Sequence, residues 1–237
     1  AGDEGEADRS ARLAALANAG HPLIGIRIEE PAGIGAEFFR WEMAVALAGA
    51  KLGINPFDQP DVQIAKDLAR EAMQAPGGDP SDGSGSDQES PSADPADAER
   101  LRDAIASWIG RAKAGDYVSV QTYARQTDEA DGLLQEARSQ LHQLTRMATT
   151  VGYGPRFLHS TGQLHKGGPN TGLFLQLTDR AGKVSLPVPE TDYAFDDLIM
   201  AQAAGDRLAL QQKDRRVLRI DLGRDVEKGL RALNEVI

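Results

Sequence analysis

The chain has no cysteine among its 237 residues, which excludes disulfides and thiolate chemistry and fits a cytoplasmic address. It has no apolar run approaching the length of a membrane span. Basic residues are in deficit: 26 Lys and Arg against 36 Asp and Glu give a net charge of −10 and a pI of 4.9. That sign opposes bulk binding to nucleic acid or to an anionic membrane, so neither is expected as a partner. It does not oppose a small anionic ligand, because a helix terminus and one or two cations set the field locally. The first residues, Ala1-Gly2-Asp3-Glu4-Gly5-Glu6, are acidic where a signal peptide needs basic and apolar segments. The chain also starts without Met, so the expectation is a piece cut from a longer polypeptide, with part of any active site upstream. Neither an internal repeat nor a nucleotide-binding glycine fingerprint is present.

Residues 1–19 read as a helix or frayed lead-in. Leu23 to Ile28 is a short β-branched run, read as a buried strand. Ala36 to Leu52 is Ala-rich and apolar on most sides, which predicts a buried helix. A Pro-bracketed turn follows, then a helix from about Asp61 to Gln74. Pro76 to Asp97 holds six acidic residues, no basic ones and no apolar side chain larger than Ala, the composition of a disordered insertion. Asp94-Pro95 then caps a helix running to about Ala114.

From Gly115 onward strands and helices alternate. Strands are expected at Tyr117–Tyr123, at a run ending in Arg156 to His159, at Gly172–Thr178 and at Val217–Leu222. Thr127 opens a long helix to about Met147, with Leu134, Ala137, Leu141, Leu144 and Ala148 on one stripe, and a last helix runs from Asp225 to the end. The pattern predicts an α/β fold, a three-layer α/β/α arrangement around a mostly parallel, doubly wound sheet with a preceding helical segment. The domain reading is residues 1–75 (strand, buried helix, turn, helix), the 76–97 insertion, and 98–237 as an α/β subdomain.

Two stretches carry residues suited to chemistry. Gly53-Ile54-Asn55-Pro56-Phe57-Asp58-Gln59-Pro60-Asp61-Val62-Gln63-Ile64-Ala65-Lys66 is a turn feeding a helix start. Free N–H groups and the positive dipole end suit an anion there, and Lys66 can reach it as a movable charge. On spacing alone, Lys66 is also one more solvated charge and Asp58 a simple cap. Gly152 to Gly172 is a polar, glycine-rich segment holding His159, His165 and Lys166, read as a functional loop after a strand. His159 there suits proton transfer, or a plain structural histidine. Gly167 to Gly172 alone is turn chemistry. His21 and His142 read as incidental, Glu37 and Glu42 as structural carboxylates near Arg40, and no metal site is expected from His159 and His165 without a third ligand.

The first stretch resembles the carboxy-terminal signature of the glucose-6-phosphate isomerase family, N-P-F-D-Q-P-G-V-E-x-x-K, and Leu158-His159-Ser160-Thr161-Gly162-Gln163 resembles that family's L-H-S-x-G-Q motif. Asp61 and Gln63 stand where the family has glycine and glutamate, and the histidine motif follows the lysine motif instead of preceding it. With the apolar helix included, the segment is most similar to the isomerase part of bifunctional transaldolase/glucose-6-phosphate isomerases.

The resemblance implies sugar-ring opening by His159 and Lys66, substrate contacts from Gln59 and, within the second segment, from Gln163 and Lys166, and no metal, redox or nucleotide cofactor. It also implies a sugar phosphate substrate, an upstream transaldolase and first sugar-isomerase domain in the same polypeptide, and a possible homodimer. No Ser/Thr-rich phosphate cluster and no equivalent of the family's catalytic glutamate stand in this chain, so it is expected to be inactive alone. A non-catalytic sugar-phosphate-binding module and a dimer-completing module are the rival readings.

Overall fold

The computed structural model describes residues 2–58, 60–74, 90–179 and 186–237. The chain divides into two compact units, one ending at Asp58 and the other running from Gln59 to Ile237.

The first unit holds helix α1 (Gly2–Asn18), an extended segment, and helix α2 (Gly33–Leu52). The strand expected at Leu23–Ile28 is absent: the segment joins no ladder among the described residues, and Ile24 is 82% exposed. A strand needs a neighbour for its N–H and C=O groups, and this one has none. The buried helix is likewise corrected. In α2 only Gly49 is buried, while Phe38, Phe39, Trp41 and Leu47 are each more than half exposed. The helix ends at Gly53, whose φ of 70° provides the left-handed cap that glycine adopts without a Cβ penalty. Ile54 N–H then donates to the Gly49 carbonyl and Phe57 N–H to Asn55 Oδ1, which closes the turn.

The second unit is built on a four-stranded, all-parallel sheet among the described residues, with spatial order β2-β1-β3-β4. Its elements run α3 (Pro60–Gln74), α4 (Ala98–Ile109), β1 (Tyr117–Tyr123), α5 (Asp128–Thr145), β2 (Ala148–Tyr153), α6 (Thr161–Gly167), β3 (Gly172–Thr178), α7 (Phe195–Gln212), β4 (Arg216–Asp221) and α8 (Val226–Val236). The expected three-layer α/β class is what the structure has. The unit boundary falls before α3 instead of after it, because α3 packs on α7.

The alternation along β1 and β3 decides which helix goes where. Val118 and Val120 share a face with Leu173, Leu175 and Leu177, and that face packs on Leu101, Ile105 and Trp108 of α4, Leu134 and Leu141 of α5, and Leu230 and Leu233 of α8. Ser119, Gln121 and Tyr123 face the other way with Phe174, Gln176 and Thr178, and are buried too. Helix α7 lies on that polar side: Gln176 Nε2 donates to the Ala203 carbonyl of α7 at 2.9 Å.

Four further expectations are corrected. Arg156–His159 is a 3-10 turn, not a strand end; the strand is Ala148–Tyr153, which ends where Gly154-Pro155 withdraws a backbone donor. Helix α5 stops at Thr145 because Arg146 adopts a left-handed conformation (φ 59°), so Leu144 is exposed and Ala148 starts β2. The helix after Pro95 ends at Ile109 and Gly110, short of Ala114. Most of the acidic insertion lies outside the described residues, but its last part is ordered. Pro91 and Ala93 are buried, Ala93 N–H donates to the Asp221 carbonyl at 2.7 Å, and Asp221 N–H donates to the Pro91 carbonyl at 3.1 Å, which extends the β4 edge.

Leu175 is 1% exposed in the apolar layer, so Leu175→Ala is expected to lower stability by about 2–5 kcal/mol through lost burial plus a cavity. Leu47→Ala, at a side chain 66% exposed, is expected to change it by no more than about 0.5 kcal/mol. Urea unfolding of the two variants checks the contrast.

Candidate functional site

Strand order 2-1-3-4 reverses direction after β2, which makes the gap between β1 and β3 the topological switch point of a doubly wound sheet. Ligands of such sheets sit beyond the carboxyl ends of the strands. The turn Arg156–His159 follows β2 directly, so His159 stands beyond that strand's carboxyl end. Close packing shapes the turn. A Cβ on Gly154 would come within 2.3 Å of the Tyr123 ring, and one on Gly162 within 2.9 Å of the Phe157 carbonyl. The glycine of the His-Ser-Thr-Gly-Gln segment is thus a packing requirement.

Helix α6 then carries the segment under the sheet. The glycine-rich stretch read as a loop is helical from Thr161 to Gly167, with His165 and Lys166 buried. His165 Nδ1 lies 2.7 Å from Tyr117 Oη, and Nε2 lies 3.4 Å from Ser119 Oγ. A neutral imidazole has one donor and one acceptor, and each hydroxyl can serve as either, so the ring is satisfied in both tautomers. Phe174 and Phe157 meet it edge-on, with ring centroids 5.2 and 6.2 Å away. Burial, then the neighbouring Lys166 charge, push the His165 pKa down from 6.5 to about 4.

Lys166 was expected to contact substrate. Instead its ammonium forms an ion pair with Asp206 of α7, with the two side chains 2% and 1% exposed. The Asp206 charge also bears on the Tyr123 phenol, whose pKa is driven up by burial first and by that carboxylate second. The carboxyl end of α6 is held by Arg215, which donates 2.6 Å hydrogen bonds to the carbonyls of Lys166 and Gly168. Beside it, Arg216 makes a buried pair of bonds to Asp116 at 2.6 and 3.0 Å. Burial alone would raise the Asp116 pKa, but the guanidinium and the Lys113 N–H hold it below its usual value.

Of the other expected site residues, Lys66 lies in the second turn of α3, Gln163 is half-buried on α6, and Gln59 lies outside the described residues. For Lys66 and His159 the backbone alone is described. Their elements are neighbours in one unit: α3 packs against α6 and α7, and the 156–159 turn packs against α6 and β2. Sequence reasoning missed Tyr123, Asp206 and Arg215, and missed α7 altogether. The available signal was Asp196-Asp197 opening an Ala- and Leu-rich stretch, with Asp206 lodged among small apolar residues.

The carboxyl ends of β1 and β2 have their own polar network. Tyr153 Oη donates to Asp131 Oδ1 at 2.6 Å and Gln126 Nε2 to Asp131 Oδ2 at 3.0 Å, and Arg156 donates to Gln126 Oε1 at 2.9 Å. The Tyr153 bond first, then that of Gln126, lower the Asp131 pKa. Thr127 caps α5 by accepting from Ala130 N–H while its hydroxyl donates to Glu227 at 2.7 Å. Arg125 N–H donates to Asp179, whose pKa burial raises. With Asp128, Glu129 and Asp131 in the first turn, the positive end of α5 is already compensated by the protein's own carboxylates. Among the described residues no group of three or more His, Asp or Glu side chains is arranged to hold a metal ion, and no helix is long and apolar enough to cross a membrane.

No protein-family model matches the chain, and no curated protein matches it. Among solved structures it is similar to a hypothetical protein, TT0462 from Thermus thermophilus, with 16% sequence identity and a TM-score of 0.45. The similarity covers 76% of this chain and 44% of that one, so the chain spans less than half the length of this neighbour.

The folded His165 takes up its proton near pH 4 and the unfolded one near 6.5, so the unfolded state binds the proton first as pH falls. Stability is therefore expected to drop between about pH 6.5 and 4 with a slope of up to about 1.4 kcal/mol per pH unit, and to be flatter there in His165→Gln; urea midpoints against pH test this. In Tyr153→Phe the Asp131 carboxyl is expected to move up toward its ordinary value, read by NMR titration of that carboxyl.

Proposed function

We propose that this chain is the carboxy-terminal part of a glucose-6-phosphate isomerase within a transaldolase/isomerase polypeptide, acting in the cytoplasm on glucose 6-phosphate and fructose 6-phosphate. The observation that carries the reading is the packing of α3, which bears the lysine signature, against α6, which continues the histidine motif. Two helices far apart in the chain thereby pack together within the second unit, which supports the reading.

In the proposed mechanism His159 protonates the ring oxygen while Lys66 assists opening, and Gln59 holds the sugar. A carboxylate upstream of this chain takes the C2 proton to give an enediol and returns it to C1. Gln163, half-buried on α6, is retained as a substrate contact. Lys166 is reassigned away from substrate, because its ammonium is buried in an ion pair.

A specific observation favours the second reading, a module that completes a dimer or an upstream domain. Helix α2 presents Phe38, Phe39, Trp41 and Leu47, each more than half exposed, and large exposed apolar faces mark sites of association.

The polypeptide including the upstream domains, assayed for interconversion of the two hexose phosphates, separates the readings. Lys66→Ala and His159→Ala are each expected to lower kcat by about 10²–10⁴-fold, the usual contribution of positioned acid–base groups. Full activity in both variants, or none in the parent, sinks the isomerase reading. The 237-residue chain assayed alone is expected to be inactive.

A further inference from the structure

Helix α6 has little reason to form by itself. It is seven residues long, begins without a side-chain cap, contains Gly162 and Gly167, and is followed by Gly168. Such a segment has no intrinsic helical stability in water, so its conformation is set by what it packs against. His165 of α6 and Phe157 of the turn before it settle the segment onto the polar face of the sheet through ring contacts with Tyr123, Tyr117 and Phe174. Ring contacts of this kind tolerate sliding.

Two interactions do not. One is the ion pair between Lys166 and Asp206, shut away from water on both sides. A buried charge that loses its partner is costly, so the lysine has one permitted direction. The other is Arg215, whose guanidinium takes the carbonyls of Lys166 and Gly168, the groups that the last turn of a helix leaves without an internal partner. A cation there also complements the negative end of the helix dipole. Side chain and main chain of the same residue are thus gripped from α7 and from the residue before β4.

We propose that Asp206, acting through Lys166, and Arg215, acting through the Lys166 and Gly168 carbonyls, are positioning residues that fix α6 and with it the His159 turn. For catalysis this rests on the isomerase reading; for the local structure it does not. None of the three is assigned contact with substrate.

The test uses hydrogen–deuterium exchange on the whole 237-residue chain. In Asp206→Asn, amides of residues 156–168 are expected to exchange about tenfold faster or more, with those of β1 and β3 unchanged. The double variant Lys166→Met/Asp206→Leu replaces the pair with apolar side chains, and serves in place of the single variant if that one does not fold. It is expected to recover the unfolding midpoint yet keep 156–168 fast. Slow exchange restored in the double variant, no local change in Asp206→Asn, or uniform acceleration through the strands would each overturn the proposal and leave a purely stabilising pair.

In the polypeptide with its upstream domains, the double variant and Arg215→Met are expected to lower isomerase kcat about tenfold or more with KM within about twofold, as a misplaced catalytic group does. Parent activity with kcat unchanged in both variants overturns the positioning role. A parent without isomerase activity overturns the isomerase reading instead, and the exchange result still decides the clamp.

Discussion

The architecture of the second unit depends on one constraint: both faces of its central sheet are buried, and only one of them is apolar. Strands β1 and β3 send Val118, Val120, Leu173, Leu175 and Leu177 to one side with Thr122, and Ser119, Gln121, Gln176 and Thr178 to the other with the rings of Tyr123 and Phe174. The apolar side needs nothing beyond complementary shape from α4, α5 and α8. The polar side gains from partners, because an uncompensated polar group in an interior costs about 1–3 kcal/mol and an unpaired charge more, although the buried Gln121 amide makes no hydrogen bond among the described residues. Helix α7 supplies the Ala203 carbonyl to Gln176 and the Asp206 carboxylate to Lys166. The sequence of α7 is therefore tied to that of α6 and of the sheet face beneath it. Apolar burial gives the unit its stability, and the buried polar layer limits how the covering helices can be arranged on it.

That layer changes how the histidine-bearing segment is understood. Its residues divide between two environments along a short stretch. His159 stands beyond the carboxyl end of β2, where doubly wound sheets place ligands. Gly162 lets the chain pass the Phe157 carbonyl, and His165 and Lys166 fasten the segment underneath. Polar residues so close in sequence look alike on paper, yet they stand in different surroundings. Burial separates them: a lysine 2% exposed and paired to a carboxylate cannot also meet a dissolved anion without breaking that pair.

The fold class was legible because its signals are periodic and local. β1 and β3 lie where their β-branched and apolar runs put them, and α5 and α8 begin at Thr127 and Asp225, whose side chains accept from backbone N–H groups three residues on. Illegible features were those fixed by tertiary contacts. Nothing local distinguishes the polar α6 from a loop; its helical form comes from Arg215 and Asp206, distant in sequence. β2 was hidden because Ala148 continues the apolar stripe of α5, and a single left-handed residue, Arg146, interrupts it. Burial of α2 was inferred from apolarity, which states a need for cover and not that the cover is present in the same chain. Of the site, neither the turn after β2, which reads in the sequence as a strand end, nor the clamp was legible, since neither Asp206 nor Arg215 belongs to a recognisable motif.

The switch point itself bears on where a phosphate would be held. In a doubly wound sheet the helix after β1 ordinarily turns its positive end toward the crevice. Here that end is satisfied: Thr127 accepts from Ala130 N–H, the first turn carries Asp128, Glu129 and Asp131, and Glu227 approaches from α8. Tyr153 and Gln126 then stabilise Asp131 as an anion. A phosphate brought close to one such carboxylate would meet like-charge repulsion. Arg156 offsets part of that, but it is engaged with Gln126 and lies over the Tyr153 ring. On the isomerase reading, then, this unit serves the sugar end of its substrate through α3 and the turn after β2, and the phosphate belongs to a different helix terminus.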